Sequence, residues 1–456
     1  MSDEPKATSA RSSKLDPRKF IVCSAFLVAL AILGFVFIRD LIDFPVYYAA
    51  GRSLIGGRTD LYSPDFALGR VMDYRYPPFF LIGFAPLWLL PYSVAAYVWY
   101  VLSVLEIIGC VVLVSRTFPA LRESKGVCLL LVLAVGPYFV MALHYGNAHL
   151  LVTFLMFAAL YLVLRQKREV VAAASMALAI TIKVTGILLI PYFVFKRKWK
   201  VLVAVCVFVM AFNLIPAAHF GFKGNNEQLV NWYRHVVASQ EFHEDNGPID
   251  LSLKGQLRRY LTTIDYSQRV DGDVRYEAVN FVSLSRETIS LAWALIVAAL
   301  FAATLLLMWW ARRNEAALDA VGAQDRSIQP AHNRVLRIEI ALMICLALFV
   351  GPLTSKIYFV ALLWPVACLA DFAASAAARG RKLAIGLLVF VAVINSVLPL
   401  LPGRSIQRLL LVLGVDFFVN CLVMTALICA LLFRLRAIRT QAAELQTQAR
   451  SVAKMP

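Results

Sequence analysis

Long apolar runs alternate with short polar links along this chain, and the runs set its architecture. Segments 20–38, 92–115, 126–143, 148–164, 199–217, 288–310, 338–350, 357–372, 383–400 and 409–433 are the ones that can cross a bilayer as helices. Two further apolar stretches are too short for a simple crossing. Residues 79–90 fit the outer leaflet, and residues 170–195 lie between two basic links, so the chain must leave and return there. Two helices of about twelve residues each reach only about 18 Å, short of a hydrocarbon core of about 30 Å. The pattern therefore predicts a tight pair of short, broken helices or a re-entrant hairpin, with Lys183 at its turn, and ten to twelve crossings altogether.

Charge orients these spans. The links 116–125, 165–169, 196–200, 311–337 and 375–382 and the tail from 434 are all net basic, which places them inside by the positive-inside rule. The long links 39–78 and 219–285 fall outside. The first carries five arginines against five aspartates, the second seven basic residues against nine acidic, so neither draws the chain inward. Residues 1–19 are read as a cytoplasmic tail before a retained first span, residues 20–433 as one transmembrane domain, and residues 434–456 as a basic cytoplasmic tail.

Composition agrees. Of 456 residues 61% are hydrophobic and only 16% charged, with mean hydropathy +0.72, against about 25% charged in soluble proteins. The formal charge of +17 sits in links between spans, so it reports topology and not nucleic-acid binding. All eight cysteines lie in apolar segments, no C-x-x-C pair occurs and six histidines are scattered, so neither a disulfide framework nor a zinc site is expected, and no cofactor.

Candidate chemistry gathers at the outer lip. Asp40 and Asp43 follow the first apolar run and, three apart, share a face if the lip is helical. Beside Phe44, Tyr47 and Tyr48, a partly desolvated Asp43 gains proton affinity and suits a general base; a helix-capping aspartate at the interface has the same sequence pattern. Lys183 in an apolar run calls for an anion such as a lipid phosphate, or for snorkelling to the surface. Arg258 and Arg259 offer guanidinium forks for phosphate, or simply a solvated face. The compact link His144, Asn147, His149 supplies donors for sugar hydroxyls or phosphate, or terminates a helix. Lys356 marks another outer turn. Cations around one acidic lip suit a substrate with an anionic group to hold and a hydroxyl to deprotonate.

These residues resemble the polyprenyl-phosphate-mannose-dependent mannosyltransferases of glycosyltransferase family 87, in the C-type glycosyltransferase superfamily. The resemblance is carried by D-F-P-V-Y-Y-A-A-G (43–51), G-G-R-T-D-L-Y (56–62), Y-P-P (76–78, with Tyr76) and A-P-L-W-L-L-P (85–91). G-N-A-H-L-L (146–151) is similar to the family's G-Q-x-N-L-L turn, and T-I-K-V-T-G to its K-x-x-P hairpin, with Gly186 in place of the proline. It implies an all-α polytopic fold, a C-type glycosyltransferase-like bundle whose extracytoplasmic loops form the cleft. It also implies an inverting transfer of a sugar, foremost mannose, from a polyprenyl-phosphate donor to a lipid or glycan hydroxyl in a bacterial-type inner membrane, with Asp43 as base and no metal. Tyr47, Tyr48, Tyr76 and the cationic turns then bind substrate. Two segments depart from the family: residues 351–358 (G-P-L-T-S-K-I-Y) stand where S-P-x-S-W-x-H-Y is usual, and Asp250, Ser252 and Leu253 match N-Q-S-L loosely. Those changes bear on the sugar and acceptor, a lipid-linked pentose being the other donor. A transporter or lipid flippase for an anionic substrate, and an envelope scaffold subunit, are the competing readings from the residues alone.

Overall fold

A computed structural model describes residues 29, 32–63, 66, 73–166, 168–238, 250–263, 279–320, 329–351, 354–375, 378–400 and 409–452. Regular structure among the described residues is helical, with no strand among them. The helices of eight residues or more are α1 (Phe44–Ile55), α2 (Tyr92–Thr117), α3 (Lys125–Tyr145), α4 (His149–Tyr161), α5 (Glu169–Ile182), α6 (Trp199–Leu214) and α7 (Ala217–Trp232). They continue with α8 (Leu253–Leu261), α9 (Arg286–Ala320), α10 (Gln329–Val350), α11 (Leu363–Ser375), α12 (Ala378–Ala392) and α13 (Val415–Val452). The protein is an all-α polytopic membrane protein.

Six helices among the described residues are long and apolar enough to cross a membrane, seven if the bent pair formed by α6 and the stretch Ala217–Val237 counts as one. This is below the ten to twelve expected. The first apolar run lies mostly outside the described residues. The segments at 148–164 and 170–195 form apolar helices of only 10–17 residues, and 338–350 belongs to a helix that also carries Arg334, Arg337 and Glu339. Past Leu214 the chain turns by 104°, so that pair is not one straight span.

The short hairpin is present as expected. α5 ends at Lys183, whose backbone is extended (φ −151°, ψ 120°), and the chain returns through a 3-10 turn, Val184–Leu189, and the short helix Ile190–Phe195. Residues 79–90 likewise form two short helical pieces, Pro78–Gly83 and Ala85–Trp88.

The most enclosed element is the rod made of the 3-10 segment Lys356–Leu362 and α11, 83% buried over its apolar window. Seven residues at about 2.0 Å and thirteen at about 1.5 Å give about 33 Å, the thickness of a hydrocarbon core. The rod is thus long enough to cross one, with Tyr358 toward one end and Asp371 toward the other.

At the Asp371 end the basic links converge. Lys196 pairs with Glu339 at 2.5 Å, Lys198 with Glu169 at 3.0 Å and Arg337 with Asp371 at 3.8 Å, while Arg434 donates to the Ser375 hydroxyl at 2.9 Å. Within α3, Pro137 has no N–H to give Leu133, and the Ser396 hydroxyl donates to that carbonyl at 2.5 Å instead. Asn395 donates to the neighbouring Ala134 carbonyl at 2.7 Å. A lipid-embedded helix tolerates a proline when a neighbouring side chain satisfies the freed acceptor in this way.

Candidate active site

Asp43 stands immediately before α1, with Pro45 in the helix's first turn, where its fixed φ and missing N–H cost nothing. It makes no side-chain cap to its own helix. Its backbone N–H donates to the Tyr145 carbonyl at 2.8 Å and its carboxylate accepts from the Asn147 side-chain amide. The lip itself is not helical: residues 40–43 are bend and coil, and the exposed Asp40 does not share a helix face with the partly buried Asp43.

The link between α3 and α4 builds the other half of this contact. Gly146 ends α3 in the left-handed conformation (φ 62°), its N–H returning to the Ala142 and Leu143 carbonyls at 3.1 Å. A Cβ here would come within 3.0 Å of Leu41 and 3.1 Å of Phe44, so the glycine also lets the Asp43 loop approach. Trp99 donates to the Gly146 carbonyl at 2.9 Å and fixes the turn. Helix termination and a polar contact to Asp43 thus coexist in the same six residues.

Asn147 is held at both ends. Its amide NH2 meets Asp43, and its carbonyl oxygen accepts from the His149 N–H at 2.8 Å and from the Tyr76 hydroxyl at 3.5 Å. Tyr47 donates to the Tyr76 hydroxyl at 2.8 Å, with the two rings edge to face at 5.0 Å. The Lys183 ammonium lies 5.7 Å from the Tyr76 ring and 4.1 Å from the Tyr358 ring, which is 4.3 Å from the His149 ring. His149 is 4% exposed, and its Nδ1 is buried with no hydrogen-bond partner. Asp43, Tyr47, Tyr76, Asn147, His149 and Lys183 are thereby brought together.

Burial raises the proton affinity of Asp43. The Asn147 hydrogen bond and the positive charges of Lys183 and Arg75 oppose that rise. The balance is a carboxylate that is more basic than an exposed aspartate and still held near two cations. α5 is fourteen residues long, about 21 Å, short of a bilayer core of about 30 Å.

The other sequence candidates lie elsewhere. The Tyr48 hydroxyl donates to the Leu90 carbonyl at 2.7 Å and anchors α1. His144 is exposed on the last turn of α3, next to the Tyr145 ring. Arg258 is partly exposed on α8. Arg259 is 1% exposed and gives its guanidinium to the carbonyls of Asp250 (3.1 Å) and Leu411 (3.3 Å) and to Gln256 (3.3 Å), locking α8 to the segment before α13. The Lys356 ammonium is 3.7 Å from Asp416, which also accepts from the Tyr138 hydroxyl at 2.9 Å.

Arg75 and Tyr358 belong to the candidate site without having been singled out from the sequence, although Tyr358 closes the G-P-L-T-S-K-I-Y segment and Arg75 directly precedes Y-P-P. The signal for Arg75 was its place between Tyr74 and Tyr76. The two segments that depart from the family pattern also touch: Leu251 N–H donates to the Thr354 carbonyl at 2.6 Å, and Thr354 N–H to the Asp250 carboxylate at 3.3 Å. Their meeting positions the turn that carries Tyr358 over Lys183. Among the described residues no three His, Cys, Asp or Glu side chains converge as metal ligands.

The sequence pattern of glycosyltransferase family 87 matches residues 74–324, more than half of the chain. The chain belongs to glycosyltransferase family 87. A polyprenol-phosphate-mannose-dependent alpha-(1-2)-phosphatidylinositol pentamannoside mannosyltransferase of Mycolicibacterium smegmatis is 32% identical over 133 residues. That alignment covers 27% of this chain and 30% of the relative, so the likeness spans less than a third of the relative's length. No solved structure matches the chain. The family 87 match begins at residue 74 and so includes Tyr76, Asn147, His149 and Lys183, while Asp43 precedes it and reaches those residues through Asn147.

Proposed function

We propose that this family 87 protein is an inverting glycosyltransferase that moves a sugar, foremost mannose, from a polyprenyl-phosphate donor to the hydroxyl of a lipid or glycan acceptor at the extracytoplasmic face. The observation that carries the reading is Asp43 held by Asn147 beside Lys183 and Arg75, one carboxylate facing cations in a recessed site. Convergence of the basic links at the far end supports the extracytoplasmic assignment.

In this mechanism the acceptor hydroxyl attacks the anomeric carbon as its proton passes to the Asp43 carboxylate. The bond from that carbon to the phosphate oxygen breaks on the opposite face of the sugar, and polyprenyl phosphate departs with the electron pair. The leaving group is anionic and needs no proton, so stabilisation is electrostatic: Lys183 and Arg75 supply positive charge where it develops. Asn147 positions the base. The Tyr358 ring holds the Lys183 ammonium by a cation–π contact, which fixes its direction without neutralising it.

Membranes bearing the protein, supplied separately with polyprenyl-phosphate mannose and a polyprenyl-phosphate pentose, test the donor. Mannose-dependent release of polyprenyl phosphate with a new glycosylated product is expected. Turnover of the pentose donor alone keeps the reaction class and replaces the sugar, and turnover of neither contradicts the proposal.

A further inference from the structure

At the Asp371 end of the central rod, about 22 Å of helix away from Tyr358, a half-open recess is lined by Arg334, Arg337, Asp371, Phe372 and Arg434. Arg334 and Arg337 are three apart on α10 and so lie on one face. Arg434 arrives from α13 with its guanidinium 5.4 Å from the Phe372 ring, and Arg337 stacks 5.6 Å from Phe118. Arg337 reaches Asp371 Oδ2 at 3.8 Å. Three guanidinium groups around one carboxylate leave the recess with a surplus of positive charge. The remaining oxygen, Asp371 Oδ1, is buried with no hydrogen-bond partner.

We propose that this recess binds the headgroup of an anionic phospholipid, its phosphate held by Arg334, Arg337 and Arg434 and a headgroup hydroxyl donating to Asp371 Oδ1. The chemistry of both halves is accounted for: guanidinium forks match phosphate oxygens, and a buried carboxylate oxygen without a partner calls for a donor. A free phosphate ester would present the same groups. Position favours the lipid. Phe433, next to Arg434, is 51% exposed on a helix whose membrane window closes at Arg436, so apolar side chain and guanidinium stand together at a bilayer boundary. No step at Asp43 involves these residues, and the site stands independently of the proposed reaction.

Native mass spectrometry of the full chain in detergent, offered equimolar phosphatidylglycerol and phosphatidylcholine, tests the site. Wild type should retain one phosphatidylglycerol with at least about tenfold preference, and Arg334→Gln combined with Arg434→Gln should lose it. Arg434→Lys, which keeps the charge, should retain part of the preference, and Arg122→Gln, at an exposed arginine of another basic link, all of it. Equal retention of the two lipids by wild type, or an unchanged preference in the double variant, overturns the proposal. If the double variant does not fold, wild type still decides: displacement of the bound lipid by millimolar inorganic phosphate assigns the recess to a soluble anion and overturns the lipid reading, whereas resistance to it supports the lipid.

Discussion

The side-chain amide of Asn147 hydrogen-bonds to the carboxylate of Asp43, joining residues 104 positions apart at the mouth of the helical bundle. Because the other end of the same amide is tied to the His149 N–H, the direction of the Asp43 carboxylate is inherited from the start of α4.

Removing this contact has a signed consequence. The Asn147 hydrogen bond holds the Asp43 pKa down against burial, so Asn147→Ala should raise it further. A base must be ionised to accept a proton, so the acid limb of the pH–rate profile should move to higher pH. Activity should recover toward the wild-type plateau at alkaline pH. A uniform loss at every pH would assign Asn147 a purely structural role.

Lys183→Ala should lower kcat by about 10²- to 10³-fold, the range for loss of one preorganised electrostatic group, and raise KM for the lipid-phosphate donor more than for the acceptor. The split follows from where the ammonium sits, between the Tyr76 and Tyr358 rings. Steady-state kinetics with each substrate varied in turn reads it, and equal effects on both KM values would argue against a donor-phosphate role.

Gly146→Ala should destabilise the protein by about 1–2 kcal/mol from the left-handed backbone alone, before the new methyl meets Leu41 and Phe44. Thermal unfolding in detergent measures the loss. Activity should fall more than stability does, because the shift moves Asn147 relative to Asp43.

Helical class and the short hairpin were legible in the sequence because apolar period and link charge are local properties. The count of spans was not, because length alone does not say that the chain turns by 104° after α6 or that α10 carries charges into the bundle. In the site, Asp43, Asn147, His149 and Lys183 were readable as polar residues that an apolar setting has to explain. Arg259 shows the limit of that argument: a paired arginine looks like a phosphate clamp until its guanidinium is found on backbone carbonyls. Arg75 and Tyr358 act through neighbours supplied by distant segments, and sequence spacing carries no trace of such meetings.

The central claim, that Asp43 is the base, is tested most directly by radiolabelled sugar transfer in membranes carrying wild type, Asp43→Asn or Asp43→Glu at matched protein levels. Asparagine preserves shape and the contact to Asn147 can re-form by an amide flip, so folding should survive while transfer falls at least about 10³-fold, with glutamate restoring a fraction of it. Wild-type transfer by Asp43→Asn would contradict the assignment.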